Sequence, residues 1–124
     1  MMFIKVKAIA ILVGTAALAM APSSAVSQSN SPPVANPNSL SIYVCQEVTI
    51  NLTANDTDPE GNYPLTVTAV DTSPYATVYI SSASSVTFEG VSPGGGTLSY
   101  TVEDSLGASS TGQISLGVFA HSCA

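Results

Sequence analysis

The sequence has 124 residues, with two Lys plus Arg, eight Asp plus Glu and a formal net charge of −6 at pH 7. Both basic residues, Lys5 and Lys7, lie near the amino terminus, so the rest of the chain is acidic and has no Lys or Arg. Such a chain lacks the positive charge that neutralises phosphate groups, which argues against nucleic acids and anionic lipid surfaces as partners.

The amino-terminal residues are typical of a secretory signal peptide. The two lysines precede the apolar run AIAILVGTAALAMA, and the small residues of PSSAVSQ follow it. This is the order of charge, apolar core and cleavage site in exported proteins. The run is shorter than the roughly 20 residues that a membrane-spanning helix needs. We predict cleavage after Ala25, with Ala21 as the alternative, and a secreted, periplasmic or surface-held protein with no membrane span.

Two regions follow the predicted signal peptide of residues 1–25. Residues 26–37, VSQSNSPPVANP, are rich in Ser, Asn and Pro and show no periodicity, which predicts an exposed linker. Residues 38–124 are long enough for one domain with a modest core.

Seven short segments of alternating apolar and polar residues make up that domain, separated by turn residues. They are residues 39–44, 47–53, 64–70, 76–81, 85–89, 97–104 and 110–119. In the third segment the alternation places Leu65, Val67 and Ala69 on one face. The PGGG run at residues 93–96 is interpreted as a flexible turn between sheets. The pattern predicts an all-β fold, namely a seven-stranded antiparallel sandwich.

The predicted core is formed by the apolar face of these segments. Its members are Ile42, Val48, Ile50, Leu52, Leu65, Val67, Val78, Ile80, Val86, Phe88, Leu98, Tyr100, Val102, Ile114, Leu116 and Val118.

The chain has two cysteines, Cys45 and Cys123. An even number of cysteines in an exported chain indicates a disulfide bond. The loop of 123 − 45 = 78 residues would stabilise the domain by roughly 4.5 kcal/mol on the chain-entropy model.

Three stretches of the domain carry a family resemblance: PPVANPNSLSI, VTINLTANDTDPEGNYPLTVTAV and LSYTVEDSLGASSTGQISLGV. They resemble the bacterial cadherin-like, immunoglobulin-like modules that occur in tandem in large secreted and surface proteins. The resemblance implies bacterial export and a Greek-key sandwich that is often stabilised by calcium. It also implies a structural, adhesive or protein-interaction role, with a protein or a surface glycan as partner.

The layout of such a sandwich brings distant polar residues together. The loop after the second strand and the loop before the last strand lie at one end, and the two cysteines lie at the other. Asn36, Asn38 and Glu103 are expected at the first end as well. Carboxylate and amide oxygens there suit a hard cation. The candidate calcium ligands are Asn55, Asp56, Asp58, Glu60 and Asp104.

The stretch TANDTDPEGN has a second interpretation that needs no metal. Asn, Asp, Pro and Gly are favoured in turns because Asn and Asp side chains bond nearby backbone and glycine accepts positive φ. The resembling modules also usually carry acids where this sequence has Asn38 and Asn62, and a neighbouring module often completes their calcium shell. The sequence therefore leaves open a calcium site and a purely structural turn.

Catalysis is not predicted, because the only histidine, His121, lies in the tail AHSCA beside a cysteine. No nucleophile therefore has an evident base. As an alternative function, Tyr63, Tyr75 and Tyr79 could offer stacking faces to a sugar in a ligand-binding module. The simpler interpretation is that these tyrosines fill strands, which aromatic residues favour.

Overall fold

The computed structural model describes residues 29–123. The predicted signal peptide and its cleavage site lie outside the described residues. No helix within residues 29–123 is long and apolar enough to cross a membrane.

Seven β-strands and one short 3-10 turn form the domain. The strands are β1 (Asn38–Tyr43), β2 (Glu47–Asn51), β3 (Thr66–Val70), β4 (Ala76–Ile80), β5 (Ser85–Gly90), β6 (Gly94–Glu103) and β7 (Ser109–Phe119), and the 3-10 turn is Leu52–Asn55. The predicted all-β fold with seven strands is confirmed.

The strands form two sheets, in the orders β1-β7-β6-β3 and β2-β5-β4. The pairings between these strands are antiparallel except that of β1 with β7, which is parallel. Consecutive strands thus change sheet repeatedly, as in a Greek key. The loops β2–β3 and β6–β7 meet at one end of the sandwich, which we call the acidic end. The β1–β2 turn and the tail after β7 meet at the opposite end, which we call the disulfide end.

Period-two alternation buries one face of each sheet against the other. In β7, for example, Gly112, Ile114, Leu116 and Val118 are buried while the residues between them face outward. The buried apolar residues are Ile42, Leu52, Leu65, Val67, Ala76, Val86, Phe88, Leu98, Tyr100, Val102, Ile114, Leu116 and Val118. Most of the predicted core is therefore confirmed, and Val48, Ile50 and Val78 pack against it while only partly buried.

Three local predictions were wrong. The register of β3 against β6 shifts between Val67 and Ala69. This irregularity turns Ala69 outward and lets Val70 pack against the core. Ile80 is 39% exposed because it ends β4, at the edge of its sheet. The three glycines of PGGG are not a turn, since Gly94–Gly96 pair with Leu116–Val118 as the first residues of β6.

The predicted disulfide joins Cys45 and Cys123, whose Cα atoms are 5.9 Å apart. It connects the β1–β2 turn to the tail after β7 across a sequence separation of 78 residues. The bond therefore closes the disulfide end of the sandwich.

The described part of the predicted linker lies against the domain instead of being fully exposed. Val34 forms a β-bridge with Thr57, and Pro33 is buried with its carbonyl accepting a hydrogen bond from the Ser110 hydroxyl. Backbone groups make most of these contacts, so a segment rich in Ser, Asn and Pro can dock without an apolar periodicity. We call residues 29–37 the leading segment.

Candidate functional site

The loop that leaves β2 begins as a 3-10 turn. Asn51 caps this turn by accepting hydrogen bonds from the backbone N–H and the hydroxyl of Thr53, at 3.2 and 3.0 Å. Leu52 is completely buried and anchors the turn in the core. Strand β2 therefore ends at Asn51 instead of the predicted Thr53. The residues that follow form the loop at the acidic end.

Asp56 is the first buried carboxylate of this loop, and both of its oxygens are bonded. Oδ1 accepts from the Asn36 backbone N–H at 2.8 Å, and the Tyr100 hydroxyl lies 3.0 Å from Oδ2. Burial raises the pKa of Asp56 above its usual range, although these two donors act to lower it. Tyr100, which is 1% exposed, has its pKa raised by burial and by the neighbouring Asp56 carboxylate. Asp56 therefore ties the leading segment to the core.

Asp58 and Asp104 are also buried, with 7% and 5% of their surface exposed. Oδ2 of Asp58 accepts the backbone N–H groups of Glu60 and Asn62 at 3.1 and 2.8 Å. Oδ1 of Asp104 accepts the N–H groups two and four residues later, at 2.9 and 3.0 Å. The second oxygen of each carboxylate, Oδ1 of Asp58 and Oδ2 of Asp104, is buried and has no hydrogen-bond partner among the described residues.

The two carboxylates lie close together at the acidic end, since the Asp58 side chain is near enough to Asp104 to influence its pKa. Burial alone would raise the pKa of Asp104. The N–H groups of Ala108 and Leu106, the Asn30 amide and the Asp58 carboxyl together hold the pKa of Asp104 below its usual range. A cation between the two carboxylates would offset their negative charge.

Three further polar side chains surround this carboxylate pair. The Asn30 amide nitrogen donates to Oδ1 of Asp104 at 3.3 Å, and the amide oxygen of Asn30 accepts from the Asn62 amide at 2.9 Å. The Glu60 carboxylate accepts the Ser31 backbone N–H at 3.2 Å. A small cavity of about 150 Å³ lies beside Asn30, Glu60 and Asn62. The leading segment thus forms one wall of the site.

The five predicted calcium ligands divide into two groups. Asp58 and Asp104 form the carboxylate pair, and Glu60 lies beside it. Asp56 and Asn55 instead form hydrogen bonds with other residues. The Asn55 amide donates to the Pro37 carbonyl at 3.2 Å. Within residues 29–123, no three Asp, Glu, His or Cys side chains converge in the arrangement of a metal centre. Any cation here would therefore depend on amide, backbone or water oxygens besides the two carboxylates.

The tyrosines of the alternative site lie in different parts of the sandwich. Tyr63 is at the acidic end, where its hydroxyl accepts the Asp58 backbone N–H at 3.1 Å. Tyr75 lies in the β3–β4 loop at the disulfide end and packs beside Gly94. Tyr79 is on edge strand β4 and is 51% exposed. No shared stacking face is evident from these positions.

Sequence reasoning missed two residues of the acidic end. Asn30 belongs to a segment whose composition is typical of linkers, so nothing in the sequence marked it as a partner of Asp104. Tyr100 was assigned to the core, which is correct, but its hydroxyl also bonds to Asp56. The signal that could have found this bond is general, because a buried tyrosine hydroxyl usually has a polar partner.

Several solved structures contain a similar fold. A candidate alpha-galactosidase/melibiase from Bacteroides fragilis aligns with a TM-score of 0.55 and 14% identity, over 72% of this chain and 18% of that one. An endo-fucoidan hydrolase of glycoside hydrolase family 107 aligns with a TM-score of 0.50 and 22% identity, over 77% and 18%. The PKD domain of the KIAA 1837 protein aligns with a TM-score of 0.44 and 14% identity, over 80% and 96%. The chain spans about a fifth of the length of the first two proteins, and identities this low show the fold alone.

No curated protein matches the sequence. The family model of the bacterial Ig domain, in contrast, matches residues 30–117. This range includes the leading segment from Asn30 onward, both loops of the acidic end and nearly all of β7. It is well over half of the chain, and the chain therefore belongs to the bacterial Ig domain family.

Proposed function

We propose that this chain is an exported, non-catalytic structural or interaction module whose acidic end is stabilised by calcium. Bacterial Ig domains, the family to which the chain belongs, are often extracellular or surface-associated and are generally non-catalytic. The disulfide supports export, because such bonds persist in oxidising compartments. The sandwich would serve as a spacer or an adhesive unit.

The observation that carries the calcium proposal is the pair of unsatisfied oxygens on Asp58 and Asp104. A buried carboxylate oxygen without a hydrogen-bond partner is costly, and each of these two carboxylates has one such oxygen. A divalent cation would satisfy both at neutral pH.

The atoms that could bind a metal here suit calcium better than a softer metal, because all of them are carboxylate or amide oxygens. Calcium takes six to eight oxygen ligands from carboxylates, amide and backbone carbonyls, and water. Asp58 and Asp104 would hold the ion, with Glu60, Asn30 and Asn62 close enough to contribute. The bound ion would neutralise the two carboxylates and link the β2–β3 loop, the β6–β7 loop and the leading segment. With only two carboxylates close together, we expect millimolar affinity, as in other extracellular modules.

Thermal unfolding of the oxidised protein, with calcium and with chelator, tests this proposal. Calcium at roughly ten times its Kd should stabilise the fold by about 1.4 kcal/mol, which raises the Tm of a domain of this size by roughly 6 to 10 °C. In the Asp58→Asn variant the rise should disappear, since one of the two carboxylates loses its charge.

Glu89→Gln is the matched control, because it also removes one negative charge. Glu89 is exposed on β5, and no hydrogen bond to its side chain is found in the described part of the chain. The control should keep the full calcium response. Equal loss in both variants would mean that calcium only screens the net negative charge, and superimposable wild-type melts up to several millimolar calcium would refute the site.

A further inference from the structure

We propose that a cleft at the disulfide end binds a neutral sugar ring of a glycan chain. The cleft has a volume of about 370 Å³ and lies between residues 43–46 and residues 121–123. This volume falls in the range of small-molecule sites. The cleft is separate from the acidic end and from the three tyrosines considered above. We call it the disulfide cleft.

The two walls of the disulfide cleft are held in place by a covalent bond and a constrained turn. The Cys45–Cys123 bond joins them across 78 residues of sequence. Cys45 has a φ of 72°, which makes it the only non-glycine residue with positive φ among residues 29–123. Its N–H donates to the Gly90 carbonyl at 2.8 Å, and Gln46 N–H donates to the Tyr43 carbonyl at 3.0 Å. Backbone strain of this kind concentrates at binding and functional sites, and a preorganised cleft loses less entropy when a ligand binds.

Aromatic rings form the apolar part of the disulfide cleft. The Tyr43 ring lies 5.8 Å from the His121 ring, at an interplanar angle of 56°. On β7, Phe119 lies 6.2 Å from Tyr43 at 54°. Tyr43 and Phe119 are 55% and 53% exposed. Tyr43 and His121 line the cleft, whereas Phe119 adjoins Tyr43 outside it. The half-exposed Tyr43 ring is a surface that the C–H face of a sugar ring can cover.

Gln46 provides a fixed hydrogen-bond donor beside these rings. Its amide oxygen accepts the Tyr43 backbone N–H at 3.0 Å, which sets the orientation of the side chain. No acceptor for its amide N–H groups is found within the described residues. The Ser122 hydroxyl also lines the cleft and can donate or accept. The cleft thus pairs an apolar stacking surface with donors for hydroxyl groups.

The charge of the molecule narrows the class of ligand. Among the described residues, no Lys, Arg, Asp or Glu lines the disulfide cleft. Residues 29–123 carry eight acids and no Lys or Arg, so an anionic ligand would be repelled by the field of the whole domain. The ligand with one apolar face, many hydroxyl groups and no charge is a neutral sugar.

Titration of the isotope-labelled, oxidised chain, followed by amide NMR shifts, tests the proposal. The neutral probes are cellohexaose, xylohexaose and mannohexaose, and hexagalacturonate is the anionic comparison. At least one neutral probe should shift the amides of residues 43–46 and 121–123. Tyr43→Ala should then weaken its binding roughly tenfold, the scale expected for loss of an aromatic anchor.

Tyr79→Ala is the control, because Tyr79 is a tyrosine of nearly equal exposure (51%) on a different strand. It should bind the sugar like the wild type. Gln46→Ala provides a second variant, with a similar loss expected from its missing donors. The proposal is overturned if no neutral probe shifts these amides at millimolar concentration, if Tyr43→Ala and Gln46→Ala bind normally, or if hexagalacturonate binds equally well.

Discussion

The Tyr100→Phe substitution would show how much the acidic end depends on one buried hydroxyl. Tyr100 is 1% exposed and its hydroxyl lies 3.0 Å from Oδ2 of Asp56, which is itself 6% exposed. The phenylalanine ring fills the same space, so the packing of the core is kept. Asp56 would retain only the Asn36 backbone N–H, and the Asn38 amide would lose its 3.2 Å bond to the hydroxyl.

The cost follows from leaving a buried, charged acceptor short of a donor. Removing one partner of such a bond costs about 1 to 3 kcal/mol. We expect the free energy of unfolding to fall by about 2 kcal/mol at pH 7, and the Tm by roughly 8 to 16 °C.

The effect should depend on pH in a defined direction. Burial already raises the folded-state pKa of Asp56, and loss of the Tyr100 donor would raise it further. A raised pKa means that ionisation of Asp56 disfavours the folded state, so the extra cost is present above the unfolded carboxyl pKa of about 3.9. The difference between variant and wild type should therefore shrink at pH 3, where Asp56 is protonated in both states.

Urea unfolding at pH 7 and pH 3, in chelator, measures both effects. Tyr79→Phe is the control, because that ring is half exposed and its hydroxyl has no hydrogen bond within residues 29–123. It should change the free energy of unfolding by less than about 0.5 kcal/mol. A loss below about 0.5 kcal/mol in Tyr100→Phe at pH 7, or an undiminished loss at pH 3, would refute the role assigned to this hydroxyl.

Three further predictions concern other parts of the fold. Reduction of the disulfide should lower the free energy of unfolding by up to about 4.5 kcal/mol in urea melts; no change would show that the tail adds little constraint. Gly112→Ala should cost about 2 kcal/mol or more, since its Cβ would meet the buried Tyr100 ring at 2.5 Å. Gly96→Ala has open space and should be nearly neutral, so equal effects of the two changes in thermal melts would contradict this packing. The hydrogen-bond donors that lower the folded-state pKa of Asp104 contribute stability that is fully present above the unfolded carboxyl pKa of about 3.9. This stability is lost as pH falls through the folded-state pKa of Asp104. In acid titrations with chelator, the gap between wild type and Asp104→Asn should therefore be widest above the unfolded pKa and narrow below it, and a pH-independent gap would contradict the cited donors.

Alternation by itself was enough to locate the strands and most of the core. In β7, period-two spacing identified Ile114, Leu116 and Val118 as inward residues because a strand in a two-layer sandwich has one buried face. It failed at Ala69, since a change of register depends on how the partner strand pairs. It also failed at Gly94–Gly96, whose composition is typical of turns but whose backbone completes a ladder with β7.

At the acidic end, too, the sequence predicted some features and the tertiary structure decided others. The sequence predicted that Asp58 and Asp104 would lie at one end, because Greek-key connectivity brings their loops together. It could not indicate that the Tyr100 hydroxyl would form a hydrogen bond with Asp56, nor that the Asn30 amide would form one with Asp104. Those outcomes depend on side-chain directions and on the docking of the leading segment.

The sequence alone therefore determined the class of fold, the disulfide pairing and the acidic character, since these follow from periodicity, an even cysteine count and composition. Only the tertiary structure decided which carboxylate oxygens are left without partners and which aromatic rings border a cleft at the disulfide end. Contacts between residues far apart in the chain are set by packing and register, which no local pattern encodes.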